Sequence, residues 1–163
     1  MTNTAEQCGR AHRPPLHSRV SVLVRAAARS KMTPNFAPAT RILIVEEDQE
    51  TRDAIEKMLV TDGYIVDPAR DAVDAIERAR WRRPQLILIS LSGNRGELAV
   101  TGQTIRARAG LQEAVPVVLF SASAGPEGTE IRIAGNVHLT NPENFNHLRA
   151  LVVRVLHGSS GRA

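Results

Sequence analysis

Cysteine and aromatic side chains are almost missing from this sequence, which has one Cys and five Phe, Trp and Tyr residues in 163. A lone Cys8 cannot close an intramolecular disulfide, so a disulfide-stapled scaffold is excluded. The polar segment around it reads as carrying an unpaired thiol, as in a reducing cytoplasm. With so few aromatics the core must be assembled from Ile, Leu, Val and Ala, and a hydrophobic fraction of 42% supports one. No apolar run approaches the roughly 18 residues needed to span a bilayer, so a soluble, cytoplasmic protein without membrane insertion is expected. Aspartate is absent after Asp74 and lysine after Lys57. The second half of the chain can therefore supply neither an aspartate nucleophile nor a lysine cation.

The net charge of +4 suggests a nucleic-acid partner until it is divided along the chain. Residues 1–41 hold seven basic side chains against Glu6 alone, whereas the remaining 14 basic and 16 acidic side chains balance to −2. The basic excess belongs to a Pro-containing leader, residues 1–40, read as disordered. Met32 opens a short polar lead into the first strand and is an alternative start, in which case residues 1–31 would not be made. Arg78, Arg80, Arg82 and Arg83 form a basic run with Trp81 as its single aromatic, which reads as a solvated helix face rather than a nucleic-acid site.

From Arg41 the pattern alternates strand and helix. Arg41–Val45 is a short β-branched run; Ile55, Met58 and Leu59 follow at helical spacing, and Asp62-Gly63 stops that helix. Tyr64–Val66 predicts a second strand, and Asp71 is placed to cap a helix bearing Ala72, Ala75, Ile76 and Ala79. Leu86–Ile89 is an unbroken apolar block, the mark of a strand buried on both faces of a parallel sheet. A helix over Glu97–Arg108, with Gly102 as its weak point, precedes a fourth strand at Val115–Phe120. Gly125-Pro126 is read as opening a short helix towards Ile133, before a fifth strand at Val137–Leu139. Asn141 and Pro142 are read as the cap and first residue of a last helix, striped by Phe145, Leu148, Leu151, Val152 and Val155 and stopped by Gly158. The expectation is an α/β fold: a doubly wound, five-stranded parallel sheet with helices on both faces, flavodoxin-like, over residues 41–157, followed by a disordered tail at 158–163.

The stretches RILIVEEDQETRDAIEKMLVTDGY, RRPQLILISL, VPVVLFSAS and VHLTNP together resemble the receiver domain of bacterial two-component response regulators, and the similarity covers Arg41 to His157. In that family two acidic residues after the first strand hold Mg²⁺ and an aspartate ending the third strand accepts a phosphoryl group. A Ser or Thr after the fourth strand and a lysine after the fifth contact the phosphate. The resemblance places Glu46 and Glu47 at the acidic pair, Ser90 at the phosphoacceptor, Ser121 at the switch Ser/Thr, Asn141 at the lysine and His138 at the switch aromatic. Three of these depart from the pattern. Ser90 is not an aspartate, Asn141 is not a lysine, and Glu47 is a methylene longer than the usual Asp, on a cation that tolerates misplaced ligands poorly.

Simple structural roles compete with each of these assignments. Glu46, Glu47, Asp48 and Glu50 favour a helix N-terminus without any metal; Ser121 fits a strand-end turn; Asn141 fits a cap; His138 fits a partly exposed side chain with no second ligand spaced beside it. The reading is a stand-alone, degenerate receiver without enzymatic activity or a required cofactor, Mg²⁺ at Glu46 and Glu47 being doubtful. It would act in signal transduction by phosphorylation-independent binding of a protein, a sensor kinase or another regulator, through the face of the fourth helix, fifth strand and fifth helix. Two alternatives are a small ligand in the crevice above Ser90 and residual phosphorelay activity. A catalytic serine is disfavoured, since no nucleophile-elbow pattern surrounds Ser90.

Overall fold

The computed structural model describes residues 39–121 and 124–159. The leader with Cys8 and the alternative start at Met32, and most of the expected tail, fall outside the described residues. The elements are β1 (Arg41–Glu46), α1 (Gln49–Thr61), β2 (Ile65–Ala69), α2 (Ala72–Arg82) and β3 (Leu86–Ser90). They continue with α3 (Arg95–Arg108), β4 (Val117–Phe120), β5 (Thr129–Ala134), β6 (Val137–Asn141) and α4 (Phe145–Ser159). The strands form one sheet in the order β2-β1-β3-β4-β6-β5, parallel throughout except for the antiparallel pair β5 and β6.

The alternation of side chains along central strands builds two apolar layers. Leu43, Val45, Ile87, Ile89, Val117 and Leu119 meet Ala75, Ile76 and Ala79 of α2 and Leu98 and Ile105 of α3. Ile42, Ile44, Leu86, Leu88 and Val118 meet Ile55, Met58 and Leu59 of α1 and Leu148, Leu151 and Val152 of α4. Leu86, Ile87, Leu88 and Ile89 have no exposed surface, as a strand covered on both faces requires. Burying each such side chain contributes about 1.5–3 kcal/mol.

Local signals set the helix starts. Asp71 accepts from Asp74 N at 2.9 Å, as its capping position predicts, and Asp48 accepts from Thr51 N at 2.8 Å at the head of α1. Asn94 and Glu97 form a reciprocal capping box that starts α3 at Arg95. Gly102 lets that helix lie close to the sheet: a Cβ there would sit 2.6 Å from Val117 Cγ1 and 3.2 Å from Ile89 Cδ1. The glycine that weakens α3 by propensity is what its packing demands.

Four expectations are corrected. The sheet has six strands with one antiparallel pair, not five parallel ones, because residues 129–134 form β5 where a helix was expected. Thr129, Glu130, Ile131, Arg132 and Ile133 alternate β-branched with charged side chains, a period of two that suits an edge strand. The turn before it closes with Thr129 N on Pro126 O at 3.1 Å and uses Gly128 at φ +84°. Asn141 does not cap α4. It ends β6, and Asn144 caps instead, accepting from His147 N at 3.1 Å. The last helix runs to Ser159 and is not stopped by Gly158. The second strand lies at Ile65–Ala69, three residues further along than Tyr64–Val66 at its end.

The arginine run also does more than solvate a helix face. Arg82 Nη1 and Arg41 Nη1 donate to Asp67 at 2.7 and 2.9 Å, and Asp67 is only 2% exposed. Arg78 Nε donates to Asp74 at 2.5 Å. Arg80 and Arg83 donate to the carbonyls of Arg108 and Gly110, satisfying the end of α3.

Candidate functional site at the carboxyl edge of the sheet

β1 and β3 both end at the same crevice, and their register sets Glu46 directly beside Ser90, about 4.8 Å apart by strand spacing. Alternation places both on the sheet face that carries Ile44 and Leu88, above the layer covered by α1 and α4. Glu46 is 5% exposed, and its Oε1 accepts from Asp48 N at 2.8 Å. Glu47 is exposed and accepts from Ser92 Oγ in the loop after β3. Ser90 is half-buried.

A feature not legible from the motifs is Arg52. One turn into α1, its Nη1 donates to the carbonyl of Glu46 at 2.7 Å. Arg95 Nη2 donates to Ala124 O at 3.3 Å from the first turn of α3. Two guanidinium groups thus stand at the crevice in which no lysine was expected. The signal for Arg52 was its place four residues after the capping Asp48, which turns it towards the strand end.

The Thr51 amide donates to the Asp48 carboxylate and lowers its pKa below the ordinary aspartate value. Its carboxylate is used by the cap, so the acidic cluster is divided between tasks: Asp48 caps α1, Glu46 holds the β1–α1 turn and Glu47 holds the β3–α3 loop. Among the described residues no group of three His, Cys, Asp or Glu is placed to hold a metal ion.

On the other side of the crevice, Ser121 N donates to Thr140 O at 3.0 Å, and Ala124 N closes a turn on Ser121 O. Asn141 Nδ2 donates to Gly125 O at 2.8 Å, and its carbonyl accepts from Gly128 N at 2.8 Å. It therefore fastens the β4–β5 loop to the end of β6. Glu46, Glu47, Ser90, Ser121 and Asn141 all lie at the carboxyl ends of the parallel strands. His138 does not: it sits at the second residue of β6, paired with Arg132 on the face carrying α4. Burial, the first cause, and the neighbouring Arg132 push its pKa below the ordinary 6.5, with Glu130 acting the other way. A cavity of about 920 Å³ opens beside it, lined by Arg106, Glu130, Arg132, Asn136 and Arg154 among others, and does not reach Ser90.

The sheet thus carries acids at its carboxyl edge, a half-buried residue ending β3 and a serine directly after β4. The chain aligns with NtrX from Brucella abortus at a TM-score of 0.58 and 22% identity, over 75% of this chain and 28% of that one. It aligns with a CheY-like response regulator receiver domain protein from Methanospirillum hungatei at 0.57 and 17% identity, over 75% and 97%. The fold is that of a response-regulator receiver. The receiver domain of a sensor histidine kinase from Pseudomonas aeruginosa, whose structure has a magnesium ion in its active-site cleft, aligns at 0.55 and 24% identity, over 73% and 98%.

Two curated proteins share sequence with this receiver fold. A protein-glutamate methylesterase/protein-glutamine glutaminase from Anaeromyxobacter dehalogenans is 33% identical over 100 residues, covering 61% of this chain and 27% of that protein. The transcriptional regulatory protein CseB from Streptomyces avermitilis is 30% identical over 89 residues, covering 55% and 36%. The chain thus spans about a third or less of the length of the curated relatives it matches. No protein-family model matches it.

Proposed function

We propose that this chain is a degenerate receiver that works in signal transduction through phosphorylation-independent binding of a protein partner. The observation that carries the reading is Ser90 at the end of β3, beside Glu46. A serine hydroxyl is a weak nucleophile without an activating base. Glu46 Oε1 is engaged by the Asp48 amide, and Glu47 by Ser92. Arg52 donates to the backbone carbonyl of Glu46 and so places positive charge beside the acidic pair, which disfavours the hard-cation site that phosphoryl transfer to aspartate uses.

A sensor kinase or another regulator is the class of partner the receiver fold favours, the similarity of fold being the only support for it. The expected face changes, because β5 stands where the fourth helix was placed. The binding surface is now assigned to β5, β6 and α4, and Arg149 and Arg154 of α4 are themselves paired, with Asp62 and Glu130. No enzymatic role is assigned to Ser90. Affinity capture from native extract, with wild type and Ser90→Ala side by side, tests the reading. The same protein partner enriched by both variants, without added phosphodonor, supports it. Enrichment that depends on Ser90 and a phosphodonor, or a small ligand copurifying with no protein, overturns it.

A further inference from the structure

The sheet has two edges, and they are built differently. At one, β2 carries Pro68, which lacks a backbone N–H and blunts strand addition. At the other, β5 has β6 on one side and, among the described residues, no strand on its outer side. From Thr129 to Arg132 it keeps an unbroken register with β6 and contains neither Pro nor Lys, and its bulge lies beyond, between Arg132 and Ala134. One side of its backbone ladder is a template for another strand.

The side chains of β5 say which strand fits. Ile131 pairs with Leu139 on the face covered by α2 and α3. Glu130 and Arg132 pair with Thr140 and His138 on the opposite face, where Glu130 meets Arg154 of α4. Two copies meeting antiparallel about a two-fold axis must pair residues that share a face, so the register centres on a residue, and the registers that keep at least three residues of Thr129–Ile133 paired centre on 130, 131 or 132. Centring on Glu130 opposes two glutamates, and centring on Arg132 opposes two arginines. Centring on Ile131 sets Glu130 against Arg132 of the second copy, Arg132 against its Glu130, and the two Ile131 side chains against each other. Cross-strand pairs of opposite charge and of β-branched residues stabilise a ladder, while like charges directly opposite destabilise it.

We propose that β5 is a self-pairing edge, joining two copies of this chain into a continuous twelve-stranded sheet by an isologous β5–β5 contact centred on Ile131. Six strands per copy make the number, and the symmetry makes each charge pair occur twice. The inference concerns assembly and does not depend on whether Ser90 can be phosphorylated.

Sedimentation of the full chain tests it. Wild type should run at twice the 17.8 kDa of one chain. Arg132→Glu, which opposes glutamates, and Glu130→Arg, which opposes arginines, should each run as single chains with unchanged circular dichroism. Mixing the two variants should restore the double mass, since every pair is again opposite in sign. In a Cys8→Ser background, Ile131→Cys should form a covalent dimer under mild oxidation, and Ile133→Cys, which is opposite Thr129, should not. A wild type that stays a single chain overturns the proposal. So do a double mass that survives in the charge variants, a mixture that remains monomeric, or cross-linking at Ile133 as fast as at Ile131.

Discussion

Replacing Gly102 by alanine should destabilise this protein, although in an exposed helix the same change adds about 1 kcal/mol of stability. The new Cβ would lie 2.6 Å from Val117 Cγ1 and 3.2 Å from Ile89 Cδ1, against an optimal carbon–carbon separation of about 3.5–4.0 Å. Val117 has no exposed surface and a stiff, β-branched side chain, so it cannot swing aside. α3 must lift off β3 and β4, or a rotamer must strain, at about 1–3 kcal/mol. Set against the helix gain, the net loss is about 0–2 kcal/mol. A double-mutant cycle isolates the clash. Val117→Ala alone leaves a cavity, but with Gly102→Ala the added methyl occupies part of it, so the two changes should couple favourably by about 1–3 kcal/mol. Urea unfolding followed by circular dichroism, at unchanged m, measures all three variants. A more stable Gly102→Ala protein, or changes that add within about 0.5 kcal/mol, would refute the close packing of α3.

Four further outcomes follow from named contacts. Asn94→Ala removes the capping box of α3 and should cost about 1 kcal/mol in the same unfolding assay, with most of it recovered by Asn94→Ser. Arg41→Ala should cost more than Arg82→Ala, because Arg41 is 26% exposed and Arg82 56%; comparable losses would argue against burial deciding the strength of the Asp67 pairs. His138 has a folded-state pKa below its ordinary 6.5, so the unfolded chain takes up its proton first as pH falls. Its stabilising contribution is therefore complete above about 6.5 and is lost as pH drops from there through the folded value. His138→Gln should flatten that part of a stability-versus-pH curve measured in urea, and an unaltered slope would remove His138 as its source. Asn141→Ala should free the β4–β5 loop from β6, seen as faster amide exchange at Gly125 and Gly128 with little change in α4; fraying of α4 instead would restore the capping role.

Most of the architecture was legible where one physical signal dominated. Leu86–Ile89, a four-residue apolar block behind a proline, reads as a strand covered on both faces, and Asp71 stands before an amphipathic stripe as its cap. The miss at residues 126–134 has a definite cause. Gly125-Pro126 reads as a helix opening, but Thr129, Ile131 and Ile133 alternate with Glu130 and Arg132, and that period of two outranks a single proline. Asn141 was misplaced because Asn-Pro reads equally as a cap or as the end of a strand, and Asn144 three residues on is an equally good cap. At the site, the strand ends were readable from the apolar runs, and Glu46, Glu47, Ser90, Ser121 and Asn141 lie at one edge of the sheet. The division of labour among them was not. Which carboxylate caps, which holds a turn, and that Arg52 reaches the carbonyl of Glu46, depend on side-chain geometry that no spacing rule encodes.

Incubating the purified chain with a small phosphodonor and Mg²⁺, then running it on a phosphate-affinity gel with intact mass measured alongside, tests the central claim most directly. Phosphorylation-independent action predicts no retarded band and an unchanged mass, with a Ser90→Asp variant as the comparison for what an aspartate at that strand end can do. A stoichiometric phosphate on the wild-type chain, lost in Ser90→Ala, would contradict it.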